Sequence, residues 1–496
     1  MKEDTITHPH VLPHYVMLAG ILLVTTVAYL NIFRNGFVID DQYFIEEWPF
    51  TRSWKNIGQL LAGANPESQP GVYRPIRSLL YLVYYQFFGT NPFFYHLHSL
   101  IVHLTATVLV FFIIRAIGGI GGIREIGGFA GAILFGLHPV HTESITYIAA
   151  SMEMTGVAFF LAAFLLYVRS QHSVSRRGLA MPACVVFAIL AFFTYEMTLT
   201  LPILLVVYEW VLGEMGKTGR IGRRIRAIGI IGAIGILYLV VRFSLGVGLG
   251  RGDYLAYSFY HTQLTMLKMW VHYILLLIWP VTLSHNHTVV PGFEAFMTPY
   301  SDQAAILSQT ILDPEILFSI GVIGGIGVIG WKMRTTHPIL SFSIFWFFIA
   351  LLPVSYIVPQ GTAIAEKYLY LASFGFVLVL AFLFRLPRIP RSLRVLIVVL
   401  LVVFYGARTI ARNADWRSPR TLWEYEARVH PESELAYYNL GIIYGQSGEK
   451  EKAAAAYTKA LELKPQFWQA RHNLRNVLQI VNPTNTTNNP IQPINK

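Results

Sequence analysis

Cysteine and charge are what this chain has least of. One of its 496 residues is a cysteine, Cys184, set inside an apolar run. No intrachain disulfide can form, and cysteine usage does not report the compartment. Only 13% of the residues are charged, against 54% hydrophobic and 14% aromatic, a balance that excludes a string of soluble domains and describes a polytopic membrane protein. The net charge of +11 comes largely from arginines in short loops between apolar runs, where retention of positive loops in the cytoplasm places them. Nucleic-acid binding is therefore the weaker explanation of the basic balance. Before the first apolar run stand Lys2, His8, His10 and His14, and no small-residue cleavage site follows it, so the run is expected to stay as an anchor.

Apolar stretches near the roughly 20 residues needed to cross a bilayer fall at 15–33, 94–114, 128–147, 149–168, 180–195, 197–212, 227–245, 263–281, 314–331, 338–357, 368–384 and 393–410. Their length predicts helices, hence an all-α bundle. With a cytoplasmic N-terminus, the loops carrying Arg115 and Arg124, Arg169 to Arg177, and Lys217 to Arg226 share one side, and the segment 34–93 lies on the other. Keeping Arg385, Arg388, Arg391 and Arg394 inside requires that 263–281 not change sides. This gives about eleven spans, a re-entrant or interfacial helix at 263–281, and an external C-terminus. The Ile-Gly runs at 117–123, 228–237 and 320–330 offer small-residue faces for helix packing, with ordinary membrane-helix composition as the alternative.

The segment 34–93 is more than a loop. Trp54, Ile57, Leu60 and Leu61 recur at helical spacing, which suits a helix lying on the membrane surface. After the helix bundle at 1–412 the composition turns polar. Residues 434–467 carry a tetratricopeptide pattern in Tyr437, Leu440, Gly441, Tyr444, Gly448, Ala453, Tyr457, Ala460 and Pro465. The stretch 419–431 reads as the second helix of a preceding repeat and 468–480 as the first of a following one, a small array over 413–480. Residues 481–496, rich in Asn, Thr and Pro, are expected to be disordered.

Asp40 and Asp41 follow the first span, flanked by Val38-Ile39 and Tyr43-Phe44-Ile45, where a lipid-borne substrate would arrive. Carboxylates there imply a half-buried, hydrated pocket. One could take a proton from an acceptor while its neighbour orients the acceptor or a metal. The structural alternative is a cap on the helix that follows. Arg74, later in the same segment, would suit an anionic lipid head, or else simply snorkel. At 138–143 the chain reads HPVHTE. His138, His141 and Glu143 lack a further ligand pair at diagnostic spacing, so a hydrogen-bonded cluster lining the cavity is preferred to zinc. Glu153 and Glu196 lie within or beside spans, a hint of function or of pairing with an arginine. His96, His98 and His103 read as packing residues. Glu366 and Lys367 stand at the mouth of a late span, and Lys367 is a candidate phosphate contact.

Taken together, FVIDDQYFI at 37–45, YRPIRSLLY at 73–81, NPFFYHLHSLIVHL at 91–104, LFGLHPVHTESI at 134–145, AEKYLYLASFG at 365–375 and the terminal repeat resemble the transmembrane-and-tetratricopeptide O-mannosyltransferase-like proteins. The resemblance implies a GT-C glycosyltransferase fold, a polyprenyl-phosphate sugar as donor, and an active site in the first external loop. It gives Asp40 and Asp41 the catalytic role, with Asp40 preferred as the base, and matches Glu143 and Glu366 to acidic motif positions. The chain departs from the family pattern at Ser151, which precedes Glu153 where an arginine is common, at Tyr195 before Glu196 where a lysine is common, and at Lys367 in place of arginine.

The function expected is inverting transfer of a sugar, with mannose held loosely, to a hydroxyl of an acceptor, Ser or Thr of a protein presented by the repeats. The need for a divalent cation stays open. The membrane expected is a prokaryotic cell membrane, or the endoplasmic reticulum with a lumenal site. Two other classes compete: a transporter or flippase of a lipid-linked sugar, which would need carboxylates in mid-span, and a non-enzymatic assembly factor, which would need only one span.

Overall fold

The computed structural model describes residues 13–64, 71–121, 126–172, 177–213, 221–248, 250, 253–290, 293–294, 310–384 and 389–481. Among them the architecture is all-α, apart from a short ribbon pairing Thr288–Val290 with Phe293–Glu294. Arg124, Arg176, Lys217, Arg220, Arg385, Arg388 and the tail expected to be disordered lie outside the described residues.

Among the described residues seven helices are long and apolar enough to span a bilayer: α1 (His14–Tyr29, extended by a tighter turn to Arg34), α4 (Pro92–Gly121), α7 (Ile148–His172), α10 (Ile221–Ser244), α12 (Pro314–Met333), α14 (Leu369–Leu383, entered through a turn at Glu366–Tyr368) and α15 (Arg391–Asp415). Shorter apolar helices join them at α5 (Ile126–Leu137), α8 (Arg177–Phe192), α9 (Leu201–Val211) and α13 (Pro338–Leu351). The runs 128–147 and 338–357, expected as single spans, are broken at Pro139 and Pro353. Proline supplies no N–H and cannot continue a helix from within. The chain then re-forms as α6 (Thr142–Thr146) and as the turn Leu352–Val354.

Helix α7 is the hub, packed against α4 and α8 and largely buried. The outer helices α10, α12 and α15 instead expose Ile236, Phe318, Val399 and Val403. An apolar face turned outward along a whole helix is what lipid solvates and water does not. In the Ile-Gly runs at 228–237 and 320–330, a Cβ on Gly229, Gly232, Gly321, Gly324, Gly325 or Gly327 would meet nothing within 4 Å, so these runs are mostly ordinary membrane-facing surface. Gly330 differs, since a Cβ there would stand 3.1 Å from Ile344 of α13, and a Cβ on Gly375 of α14 would stand 2.5 Å from the Ser343 carbonyl of α13.

The helix α11 (Phe259–Ile278) begins beside the loop after α13, where Gln263 Nε2 donates to the Tyr356 carbonyl (3.0 Å). The chain leaving it, Leu283 to His287, touches Glu143 and Glu366. Both ends therefore approach the same end of the bundle, as a segment that does not change sides requires.

Beyond α15 come α16 (Pro419–Val429), α17 (Glu434–Gln446), α18 (Lys450–Leu463) and α19 (Trp468–Val481), each packed against the one before. Ser418 opens α16 with a capping box and Ser433 caps α17. Gly441 is required where α17 crosses α18, because a Cβ there would meet the Tyr457 ring at 2.5 Å. This unit is fastened to the end of the bundle that carries Asp40. The Gly36 N–H donates to the Arg417 carbonyl (3.0 Å), and Asn35 Nδ2 to the Asn413 carbonyl (2.9 Å).

Candidate active site

The segment after α1 reaches its place through strain. Ile39 has φ +52°, a left-handed conformation that a β-branched residue adopts only at a cost of roughly 1–3 kcal/mol. What holds it there is Asp41. Its carboxylate is fully buried and accepts the Val38 N–H (3.1 Å) and the Ala149 N–H (2.7 Å). Ala149 lies in the first turn of α7, so Asp41 caps a helix more than a hundred residues further on, not the turn that follows it. Burial pushes the Asp41 carboxyl well above the usual carboxylate range, with the two N–H donors opposing it.

Asp40 points the other way, into a cavity of about 500 Å³. The Tyr147 hydroxyl hydrogen-bonds to it, and burial, then the charge of Asp40, raises that phenol's pKa. The same cavity is lined by Arg74, Glu143, Glu153, Glu196, His285 and Lys367, so segments far apart in sequence meet around one space.

Arg74 is saturated. Its guanidinium grips Glu196 through Nε (2.5 Å) and Nη2 (2.7 Å) and pairs with Glu153 through Nη1, while Arg77 Nη1 reaches the same Glu153 oxygen at 3.1 Å. Two arginines and two glutamates form a neutral buried cluster. Lys367 differs. Its backbone N–H donates to Glu143 Oε2 (2.9 Å), its ammonium stands 5.8 Å from the Tyr147 ring centre, and among the described residues that ammonium makes no ion pair within 4.0 Å. Glu143 also accepts from His285 Nδ1 (3.1 Å). Burial alone would raise its pKa, but His285 and Lys367 hold it below the ordinary value.

A model of the tetratricopeptide repeat matches residues 435–467. A protein O-mannosyl-transferase of Caenorhabditis elegans is 25% identical over 90% of this chain and 63% of its own length. One from Drosophila melanogaster is 24% identical over 92% and 62%, and TMTC3 of Homo sapiens 21% over 93% and 53%. The chain resembles proteins named protein O-mannosyl-transferases along nine-tenths of its length. It spans somewhat more than half the length of these relatives. Among solved structures, the crystal structure of ArnT from Cupriavidus metallidurans bound to undecaprenyl phosphate aligns with a TM-score of 0.42 at 14% identity, covering 94% of this chain and 77% of that one.

The expected site residues thus divide. Asp40, Arg74, Glu143, Glu153, Glu196 and Lys367 share the cavity wall. Asp41 lies behind it as a helix cap. His138 and His141 do not line it. His138 Nε2 meets the Leu277 carbonyl (3.0 Å) and His141 Nε2 the Ser373 hydroxyl (2.8 Å), inside the bundle, where burial lowers both pKa values. Arg74, expected to be available to a lipid head or to snorkel, is committed to two carboxylates. Glu366 also sits behind the wall, accepting from the Ser284 N–H (2.5 Å) and facing His287 Nε2 (3.2 Å). His96, His98 and His103 are packing residues, bonded to the Asn35 carbonyl, to Tyr84 with Thr155, and to Tyr370 with the Gly136 carbonyl. Among the described residues no three His, Cys, Asp or Glu side chains are grouped to hold a metal ion.

Sequence reasoning missed the Ser284–His287 segment. It is clamped by three buried carboxylates: Glu143, Glu366, and Glu426 of α16, which accepts the Ser284 hydroxyl (2.5 Å) and the His285 N–H (3.0 Å). The signal available was a polar SHNH directly after an apolar helix.

Proposed function

We propose that this membrane protein is a GT-C-type glycosyltransferase that moves a sugar from a polyprenyl phosphate to a hydroxyl, that of Ser or Thr in a polypeptide. The observation that carries the reading is one cavity holding a carboxylate, Asp40, and an ammonium, that of Lys367, which makes no ion pair among the described residues. The names of the relatives support mannose as the sugar and protein as the acceptor.

In this reading the acceptor O–H gives its proton to Asp40 as its oxygen attacks the anomeric carbon. The bond from that carbon to the phosphate oxygen breaks, and the electron pair leaves with the polyprenyl phosphate. Attack from the face opposite the leaving group inverts the anomeric configuration. Lys367 meets the negative charge that gathers on the departing phosphate. Asp40 suits the base because it is only partly buried and is steadied by the Tyr147 hydroxyl. The Arg74 cluster fixes the floor. Asp41, by capping α7, fixes the direction in which Asp40 points. The cavity side is read as the non-cytoplasmic face, opposite the arginine loops.

The test is transfer by the purified protein in lipid nanodiscs. A Ser/Thr peptide should gain a hexose mass from polyprenyl-phosphate mannose and none from a nucleotide sugar. Lys367→Ala should raise the donor KM about tenfold or more, as loss of a charge-assisted phosphate contact does. Transfer that proceeds equally well from the nucleotide sugar would overturn the reading.

A further inference from the structure

The cavity that contains Asp40 is not closed by membrane helices alone. Trp423 of α16 and Leu435 and Asn439 of α17 form part of its wall. Leu435 and Asn439 are one turn apart and share a face. They are held against the cavity by a buried polar seam. Glu426 accepts from Ser284 and His285 and lies 3.4 Å from Arg412, while Asn286 Nδ2 donates to the Ser433 hydroxyl (3.3 Å). The pair of helices is therefore docked in place, not tethered.

The lining of the cavity is mixed in chemistry. Part of it is ionic, built from Asp40, Lys367 and the Arg74 cluster, whereas Gln360, Gly361 and Thr362 and the three residues from α16 and α17 carry no charge. An anionic donor suits the ionic part, and the uncharged part suits a neutral chain bearing amides and small apolar groups. Helices α16 and α18 face water and not lipid, for they carry the exposed ion pairs of Arg420 with Glu424 and of Lys452 with Glu449. An acceptor passing them comes from the aqueous side, and α18 and α19 continue the surface beyond the opening.

We propose that α16 and α17 are the acceptor wall of the reaction chamber, and that the acceptor is an uncharged, extended polypeptide segment whose hydroxyl reaches Asp40 past Leu435. This rests on the glycosyl transfer proposed above and adds where the acceptor lies and what flanks it tolerates.

The experiment uses the full chain in nanodiscs, polyprenyl-phosphate mannose, and three peptides sharing one Ser/Thr core with neutral, acidic or basic flanks. The wild type should prefer the neutral peptide. Leu435→Lys should shift the kcat/KM ratio toward the acidic peptide over the basic one by about fivefold, the effect of one charge pair near water, and Leu435→Glu should shift it the other way by a similar factor. The donor KM should stay unchanged in both. Because Leu435 also packs beside Trp423, Asn439→Lys and Asn439→Asp repeat the swap at a second position. A ratio unmoved by charge at either position overturns the acceptor wall. So does a wild type that passes sugar to water or to a lipid hydroxyl but to none of the peptides, which would leave donor chemistry intact. A wild type that leaves the donor untouched overturns the transfer reading itself.

Discussion

Replacing Arg74 by glutamine should unbalance the floor of the cavity. Arg74 is 4% exposed and satisfies Glu196 through two nitrogens, at 2.5 and 2.7 Å, while also pairing with Glu153. Without it, Arg77 still reaches Glu153, but Glu196 loses the two N–H donors and the charge that Arg74 brings to it. Removing one partner of a buried ion pair costs about 3–5 kcal/mol. The Glu196 side chain is 14% exposed at the cavity wall, so water recovers part of that. The low end, about 3 kcal/mol, is the expected loss, which in a chain of 496 residues lowers the apparent unfolding midpoint by roughly 3 °C. Tryptophan fluorescence during heating in detergent would measure it. Adding Glu196→Gln should return most of the loss, because the carboxylate that faced Arg74 is then neutral. The double variant should also keep its donor KM within about threefold of the wild type if, as proposed, Lys367 and not Arg74 meets the phosphate. A midpoint unchanged in the single variant, or a further drop in the double, would refute an ion-paired Arg74.

Asp41→Asn should destabilise the protein by about 1–3 kcal/mol, because an amide nitrogen would face one of the two N–H groups now accepted by the carboxylate; the same thermal assay reads it. His287 is buried and its pKa is lowered to about 4 from 6.5. A depressed histidine stabilises the fold fully above 6.5 and progressively loses that contribution as pH falls toward 4, by about 2 kcal/mol at pH 5. The wild-type midpoint should therefore drop between pH 6.5 and 5 by more than that of His287→Asn. Gly441→Leu should force α17 from α18, since even a Cβ meets Tyr457 at 2.5 Å. The overpacking cost of about 1–3 kcal/mol should appear as faster proteolysis near residues 446–450.

Much of this was legible in the chain. The apolar runs marked the helices, and the repeat pattern placed Gly441 at a crossing because only a small residue fits there. Asp40 stood out since a carboxylate beside a span needs a wet or functional reason to exist. What could not be read was which way each polar group faces. Asp40 and Asp41 are identical in type and adjacent, and only the position of the α7 N-terminus separates the one in the cavity from the one that caps. Arg74, Glu153 and Glu196 could not be paired before the fold joined them. Glu426 carried no signal of its own, because nothing local shows that Ser284 and His285 would dock against it.

The most direct measurement is the rate of sugar transfer from polyprenyl-phosphate mannose by Asp40→Asn, a change that preserves size and hydrogen bonding to Tyr147. Loss of general-base catalysis should lower kcat by about 10²–10⁴-fold with the unfolding midpoint and donor KM unchanged. Undiminished kcat in that variant would contradict Asp40 as the base.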